Sequence, residues 1–326
     1  MDATPAAYRQ PTLAEIEAAA AVIRDLVPPT PQYRWPLLCE RLGLEAWVKH
    51  ENHTAAGAFK LRGGLTYFHH LAQKAKPAGV ITATRGNHGQ SIGFAARRYG
   101  IAATIVVPFG NSVEKNTAMR ALGVELIEHG DDFQAAREHA AVLAAERNLH
   151  MVPSFHRNLV EGVATYCLEF LRAQPELDEV FVPIGMGSGI CAMLAARDAL
   201  KLTTRVVGVV SSLAPAYALS FAGRKFVEHA VTTRIADGMA VRTPAPEALE
   251  AIWAGVERMV EVDDAEVEAA MRALFEDTHN VAEGAGAAAL AASLKEKHRL
   301  RGRRVGLVLS GGNVDRDVFA RVLADA

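Results

Sequence analysis

Lys60 lies in the stretch HTAAGAFKLRGG (His53–Gly64), directly after Phe59 and among Ala55, Ala56, Gly57, Ala58 and Leu61. Two readings fit a lysine in such company. A helix could begin near Ala58 and carry Lys60 on a solvated face. Alternatively, apolar surroundings disfavour its ammonium, lower its pKa and make the amine a nucleophile toward an aldehyde. The rest of the chain has to decide between them.

Three Gly-rich segments, each placed after an apolar run, supply the other chemistry. In TATRGNHGQS (Thr82–Ser91), Gly86 and Gly89 permit close backbone approach, and a helix starting near Gly89 would aim free N–H groups at an anion. The same residues could simply form a polar turn and a helix cap. In VPIGMGSGI (Val182–Ile190), three glycines and a serine make a nest of N–H groups suited to phosphate. It is not a dinucleotide fingerprint, because Ile190 stands where the last glycine belongs and no acid ends the following run, Val206–Val210. It also lacks the Gly-Lys-Ser/Thr ending of a nucleotide-triphosphate loop. In LVLSGGNVD (Leu307–Asp315), Ser310 precedes Gly311, Gly312 and Asn313, which could equally be a turn with Asn313 as helix N-cap. A phosphate cradle without a ribose hook, together with a desolvated lysine, points to a small monophosphate cofactor bearing an aldehyde. Pyridoxal phosphate has both groups.

These residues need a scaffold that brings loop ends together. Apolar runs at Ala46–Lys49, Gly79–Ala83, Thr104–Val107, Val124–Ile127, Val180–Pro183, Val206–Val210, Met259–Val262 and Val305–Leu309 read as strands. Stretches of helical length separate most of them, including Gly89–Tyr99, Val113–Leu122, Phe133–Arg147 and Gly189–Leu200. Such alternation predicts an α/β protein with parallel sheets flanked by helices, and so many strands predict two lobes. Ligands in these sheets sit beyond the carboxyl ends of the strands. Residues 1–50 and 151–326 are assigned to a large cofactor-binding domain and 51–150 to a small substrate-binding domain.

Composition narrows the class further. Half of the 326 residues are hydrophobic, enough for the core of an enzyme-sized globular protein. A formal charge of −2, without long single-sign blocks, gives no reason to expect nucleic acid or a membrane as partner. The opening MDATPAAYRQPTLAEIE lacks a basic then apolar order, so no secretory signal is expected. Cys39, Cys167 and Cys191 are odd in number and widely spaced, which fits buried thiols in a reducing compartment. The cytoplasm is the expected location.

With these segments in view, the sequence resembles the fold type II pyridoxal-phosphate enzymes, and among them the threonine/serine dehydratases and serine racemases. The resemblance spans roughly residues 25 to 320, with six segments in matching order. GAFKLRGG resembles the family's S-F-K-x-R-G-A and implies that Lys60 takes the cofactor aldehyde, with Phe59 against the ring. TRGNHGQS resembles S-x-G-N-H-x-Q, which implies that Thr84, Arg85, Gly86, Asn87 and His88 form the substrate-carboxylate loop and that Asn87 also meets the cofactor. GMGSG (Gly185, Met186, Gly187, Ser188, Gly189) resembles the phosphate-holding loop, and SGGN implies that Ser310 faces the pyridine nitrogen. IADG (Ile235–Gly238) and EGAGA (Glu283–Ala287) resemble further family segments. Glu283 is read first as an acid in the first turn of a helix, with a cofactor contact second, and Asp237 as a loop-capping acid.

The implied activity is an ammonia-lyase reaction that turns a β-hydroxy-α-amino acid (threonine, serine or a bulkier analogue such as phenylserine) into a 2-oxo acid and ammonia. Lys60 would act as general base, and a homodimer is implied. A racemase, a β-replacement enzyme and a binding protein without turnover are the alternatives. Several positions depart from the family pattern. Arg85 stands where racemases carry a serine, and an always-charged guanidinium is a poor proton donor. It could clamp a substrate carboxylate or face solvent. Val210, Ala214 and Ala216 occupy the positions of a divalent-metal site and offer it no oxygen ligand, so no metal is expected there. Ser154 and Phe155, in VPSFHRN, are assigned beside the substrate side chain, with a plain core role equally open for Phe155. Ala58 replaces the family's serine and removes a hydroxyl.

Overall fold

The computed structural model describes residues 8–74 and 77–324; of the amino-terminal stretch read for a signal, residues 1–7 lie outside it. Among the described residues ten strands form: β1 (Gln32–Tyr33), β2 (Glu45–His50), β3 (Gly79–Ala83), β4 (Ala102–Val107), β5 (Glu125–Glu128), β6 (His150–Met151), β7 (Glu179–Pro183), β8 (Arg205–Ser211), β9 (Val256–Val262) and β10 (Arg304–Leu309). They build a six-stranded sheet in the order β1-β2-β10-β7-β8-β9 and a four-stranded sheet in the order β5-β4-β3-β6. Every pairing is parallel except β1 with β2. The two sheets and their covering helices are the α/β, two-lobed architecture expected from the strand–helix alternation.

All eight anticipated strands form, with ends moved by at most three residues. They were legible because parallel strands are covered on both faces and so read as continuous apolar runs. All five residues of β3 and of β7 are buried. The strands that sequence reading misses, β1 and β6, are two residues long and leave no periodicity to detect. No helix among the described residues is long and apolar enough to cross a membrane.

Helix contacts explain glycines beside the lysine. The Lys60–Lys74 helix crosses the Arg157–Ala173 helix at close range: a Cβ on Gly63 would lie 2.8 Å from the Leu159 carbonyl oxygen, and one on Gly162 only 2.3 Å from that of Arg62. On the other side, a Cβ on Gly64 would meet the Ser91 carbonyl at 2.9 Å. Gly63 and Gly64 therefore admit neighbouring helices. Gly162→Val should destabilise the fold by roughly 1–3 kcal/mol or more, since backbone and not a flexible side chain would have to move. Thermal melts should show Tm falling by several degrees.

Candidate active site

Lys60 begins its helix immediately after a stitched segment. Phe59 N–H donates to the Ser310 carbonyl at 3.1 Å, Gly312 N–H donates to the Gly57 carbonyl at 2.9 Å, and Ala58 pairs with Gly311 as an isolated antiparallel bridge. These contacts bind the segment to the loop leaving β10, so Lys60 and Ser310 meet although 250 residues separate them in sequence (310 − 60). The Thr54 hydroxyl donates to the Ala58 carbonyl at 2.8 Å and accepts its N–H at 3.0 Å. A hydroxyl thus serves the Ala58 backbone even though Ala58 has none of its own.

The Lys60 amine faces an internal cavity and has no hydrogen-bond partner among the described residues. Its nitrogen lies 4.8 Å from the Phe59 ring centroid, and the Phe59 ring meets Tyr166 edge-on at 6.0 Å. Burial lowers the lysine pKa below 10.5, and Glu283 only partly offsets this. Lys60 is half-buried, with its amine turned into this cavity and not out from the helix surface.

The Gly185–Gly189 loop leaves β7 beside it. The Ser188–Ala199 helix starts with no side-chain cap, so its first backbone N–H groups remain available to an anion. Gly187 has φ +103°, and a Cβ there would lie 2.6 Å from that of Ala248; a Cβ on Gly185 would lie 2.3 Å from the Gly238 carbonyl. Any side chain would distort the cradle. Phe59, Lys60, Asn87, Glu283 and Ser310 complete a cavity of about 370 Å³, counting space open to solvent. An amine able to take an aldehyde and an uncapped helix start able to take a phosphate, in one cavity, fit pyridoxal phosphate. The Ser310 hydroxyl donates weakly to the Ala285 carbonyl at 3.3 Å.

Next to it, a second cavity of about 600 Å³ on the same measure shares Lys60 and Asn87 and adds Thr84, Arg85, Gly86, His88 and Ser154. The Thr84 hydroxyl accepts the Gly86 N–H at 2.9 Å and fixes the turn after β3. The Asn87–Tyr99 helix has no side-chain cap either, which leaves N–H groups for a carboxylate. Buried His88 has its pKa pushed down to about 3, by burial first and the Lys60 charge second, and its Nε2 has no partner. It is a neutral hydrogen-bonding group at ordinary pH.

A second lysine, missed in the sequence, joins these walls. Lys115 is buried and lies 2.7 Å from Asp237 and 3.2 Å from Glu283. Burial opposes its charge, but Glu283 and Asp237 more than offset this and hold it as an ammonium. Burial also pushes the Glu283 carboxyl up, against the pull of Lys115. Asn87 continues the chain, donating to Glu283 at 2.5 Å and accepting from Asn313 at 2.9 Å. Glu283 is therefore not a first-turn acid: it is the N-cap residue of the Gly284–Lys295 helix, makes no capping bond and turns into the site. Asp237 is an ion-pair partner and not simply a loop cap. The only signal for Lys115 was indirect, in Gly86, where a Cβ would strike the Lys115 side chain at 2.3 Å.

The structure brings together every anticipated site residue except one. Phe155 lines neither cavity; its ring packs against Tyr8 at 6.0 Å, and a Cβ on Gly187 would touch it at 3.7 Å. Half-buried, it packs against the core beside Gly187.

Two parallel sheets joined around an enclosed lysine, with an uncapped helix start beside it, define a pyridoxal-phosphate enzyme. Residues 23–311 match the family described as pyridoxal-phosphate dependent enzyme, and the chain belongs to that family. Within it, the chain is 32% identical over 313 residues to the L-threonine ammonia-lyase of Thermotoga maritima, covering 96% of this chain and 78% of that one. The processed threonine deaminase isoform 2 of Solanum lycopersicum superposes with a TM-score of 0.88 at 27% identity, covering 97% of this chain and 95% of that one. Maize serine racemase superposes with a TM-score of 0.89 at 26% identity, covering 97% and 98%.

Two outcomes check the site's electrostatics. Borohydride trapping of added pyridoxal phosphate at pH values well below 10.5 should label the Lys60 peptide ahead of exposed lysines such as Lys225, because the lowered pKa leaves more free amine. Lys115→Met should destabilise by roughly 3–5 kcal/mol, since it leaves a buried carboxylate without its cation. Lys115→Met combined with Glu283→Gln should recover part of that loss in chemical denaturation.

Proposed function

We propose that this protein is a pyridoxal-phosphate-dependent ammonia-lyase that converts a β-hydroxy-α-amino acid to a 2-oxo acid and ammonia. The observation that carries the reading is the enclosed, charge-disfavoured Lys60 amine at the meeting point of the three loops that leave β3, β7 and β10. When bound, the cofactor supplies an aldehyde for amine capture and a ring that withdraws electrons from the α-carbon.

The chain's own residues do the rest. The uncapped N–H groups at the start of the Asn87–Tyr99 helix hold the substrate carboxylate. This fixes the α-carbon next to Lys60, which, once its amine is free, removes the α-proton as general base. Departure of the β-hydroxyl as water follows, and hydrolysis of the released enamine returns water and frees ammonia. Neutral His88 orients the substrate by hydrogen bonding and is not the acid. Ser310 would offer a pyridine nitrogen a neutral hydroxyl, which does not hold a proton there as a carboxylate would. Prompt loss of the β-group is then favoured over prolonged storage of charge. Arg85 carries a proton it cannot exchange, which argues against racemisation. A cytosolic homodimer is part of the same proposal.

Purified protein should show visible absorbance that borohydride removes, and should form 2-oxo acid and ammonia from threonine, serine or a related β-hydroxy amino acid. Lys60→Ala should lower kcat by at least 10²–10⁴-fold. Full activity in that variant, or no 2-oxo acid from any such substrate, would sink the reading.

A further inference from the structure

Arg85 lines the inner cavity with Lys60 and also a wider outer vestibule of about 1780 Å³ on the same measure. It is half-buried where the two spaces meet, and the vestibule beyond carries exposed Arg137, Arg234 and Arg242. None of these four guanidiniums has a side-chain hydrogen bond or ion pair among the described residues. The acids nearby are already engaged. Asp132 accepts the Ala135 N–H at 2.8 Å, Glu228 accepts the Thr243 hydroxyl at 2.8 Å, and Asp237 pairs with Lys115. Four unpaired arginines thus outnumber Asp132 and Glu228, whose hydrogen bonds come from neutral donors, and positive charge is in excess along the route to Lys60.

This arrangement contrasts with the arginine beside the catalytic lysine. Arg62 spends its guanidinium on Glu51 and Glu169. An unpaired, half-desolvated arginine at a constriction is instead suited to an anion that arrives from outside. The inner cavity also has an apolar share, with Ala83, Phe133, Met186 and Val241 in its wall, beside the paired Lys115 and Asp237. A methyl group would use that wall and leave the arginine idle. The α-carboxylate has its own place at the start of the Asn87–Tyr99 helix.

We infer that the preferred substrate carries a second anionic group on its β-carbon, a β-hydroxy dicarboxylic amino acid in the simplest case. Arg85 is the specificity-determining residue that receives this second carboxylate. Arg137, Arg234 and Arg242 raise the local concentration of such anions at the entrance. The inference rests on the ammonia-lyase reading and adds its substrate class. Hydroxyl loss and hydrolysis proceed as for threonine, and the products are the 2-oxo dicarboxylate and ammonia.

The test uses the holoenzyme in two arms. In the first, kcat/KM for 3-hydroxyaspartate is compared with that for threonine. The dicarboxylate should be preferred, and Arg85→Ser should lower the dicarboxylate-to-threonine ratio roughly ten- to hundredfold, mainly through KM, with partial rescue by Arg85→Lys. In the second arm, binding of aspartate and of 2-aminobutyrate, neither of which has a β-hydroxyl to lose, is followed by calorimetry. Aspartate should bind more tightly, lose this advantage in Arg85→Ser and weaken as salt rises. Threonine preference in the native enzyme, or an equal loss for both substrates in Arg85→Ser, overturns the inference, the latter by assigning Arg85 to the α-carboxylate. Absence of 2-oxo acid from every substrate would strike the ammonia-lyase reading instead, and the calorimetric preference would still decide the role of Arg85.

Discussion

The buried guanidinium of Arg62 is the constraint on which the rest of the site depends. Its Nε donates to Glu51 at 2.8 Å, Nη1 to Glu169 at 2.7 Å and to the Thr165 hydroxyl at 3.0 Å, and Nη2 to Glu51 at 3.0 Å. Glu51 follows β2 of the large sheet, Glu169 lies on the Arg157–Ala173 helix, and Arg62 is in the first turn of the helix that begins at Lys60. Lys49, also fully buried, joins Glu169 at 2.7 Å. Burial works against the charge on Arg62, but Glu51 and Glu169 together outweigh it. Because Arg62, Glu51 and Lys49 would be buried orphans without their partners, the cluster tolerates little movement. It fixes the height and rotation of the helix start, and thereby where the Lys60 amine stands.

The two lysines of the site show how neighbours, and not residue type, set chemistry. Both are enclosed, so both lose hydration. Lys115 has two carboxylates within ion-pair distance and stays an ammonium. Lys60 has Glu283 only as a more distant influence and an aromatic ring as near neighbour, so its ammonium is disfavoured. Glu283 links them: it spends its charge on Lys115 and Asn87 and leaves little for Lys60. The Lys60 amine is thus kept out of ion-pair contact by a second lysine that takes up the carboxylates.

Close approach governs the remaining geometry. Gly63 and Gly162 let two helices cross nearly backbone to backbone, and Gly86 lets the Lys115 side chain pass beneath the turn after β3. Gly185 and Gly187 keep the cradle clear for an anion. Sequence reading placed the cradle and the β3 loop well, because glycines after an apolar run report on backbone needs that are local. It did not say which neighbours Gly63 and Gly64 admit, because the close surfaces come from residues about 30 and 100 positions away.

By itself the sequence determined the strands, the three strand-end loops and the amine to which they point. Each rests on local patterning: apolar runs for strands buried on both faces, glycines where the chain must turn or admit a ligand, and a lysine among small apolar residues. Only the tertiary structure decided the charges. Lys115 and Asp237 lie 122 positions apart, as the Arg62 partners lie up to 107 apart, and Glu283 entered the site because its helix start faces Asn87 across 196 residues. Phe155 left the site for the core by the same kind of long-range packing. Electrostatic roles are set by distance and burial, and neither is written in the order of residues along the chain.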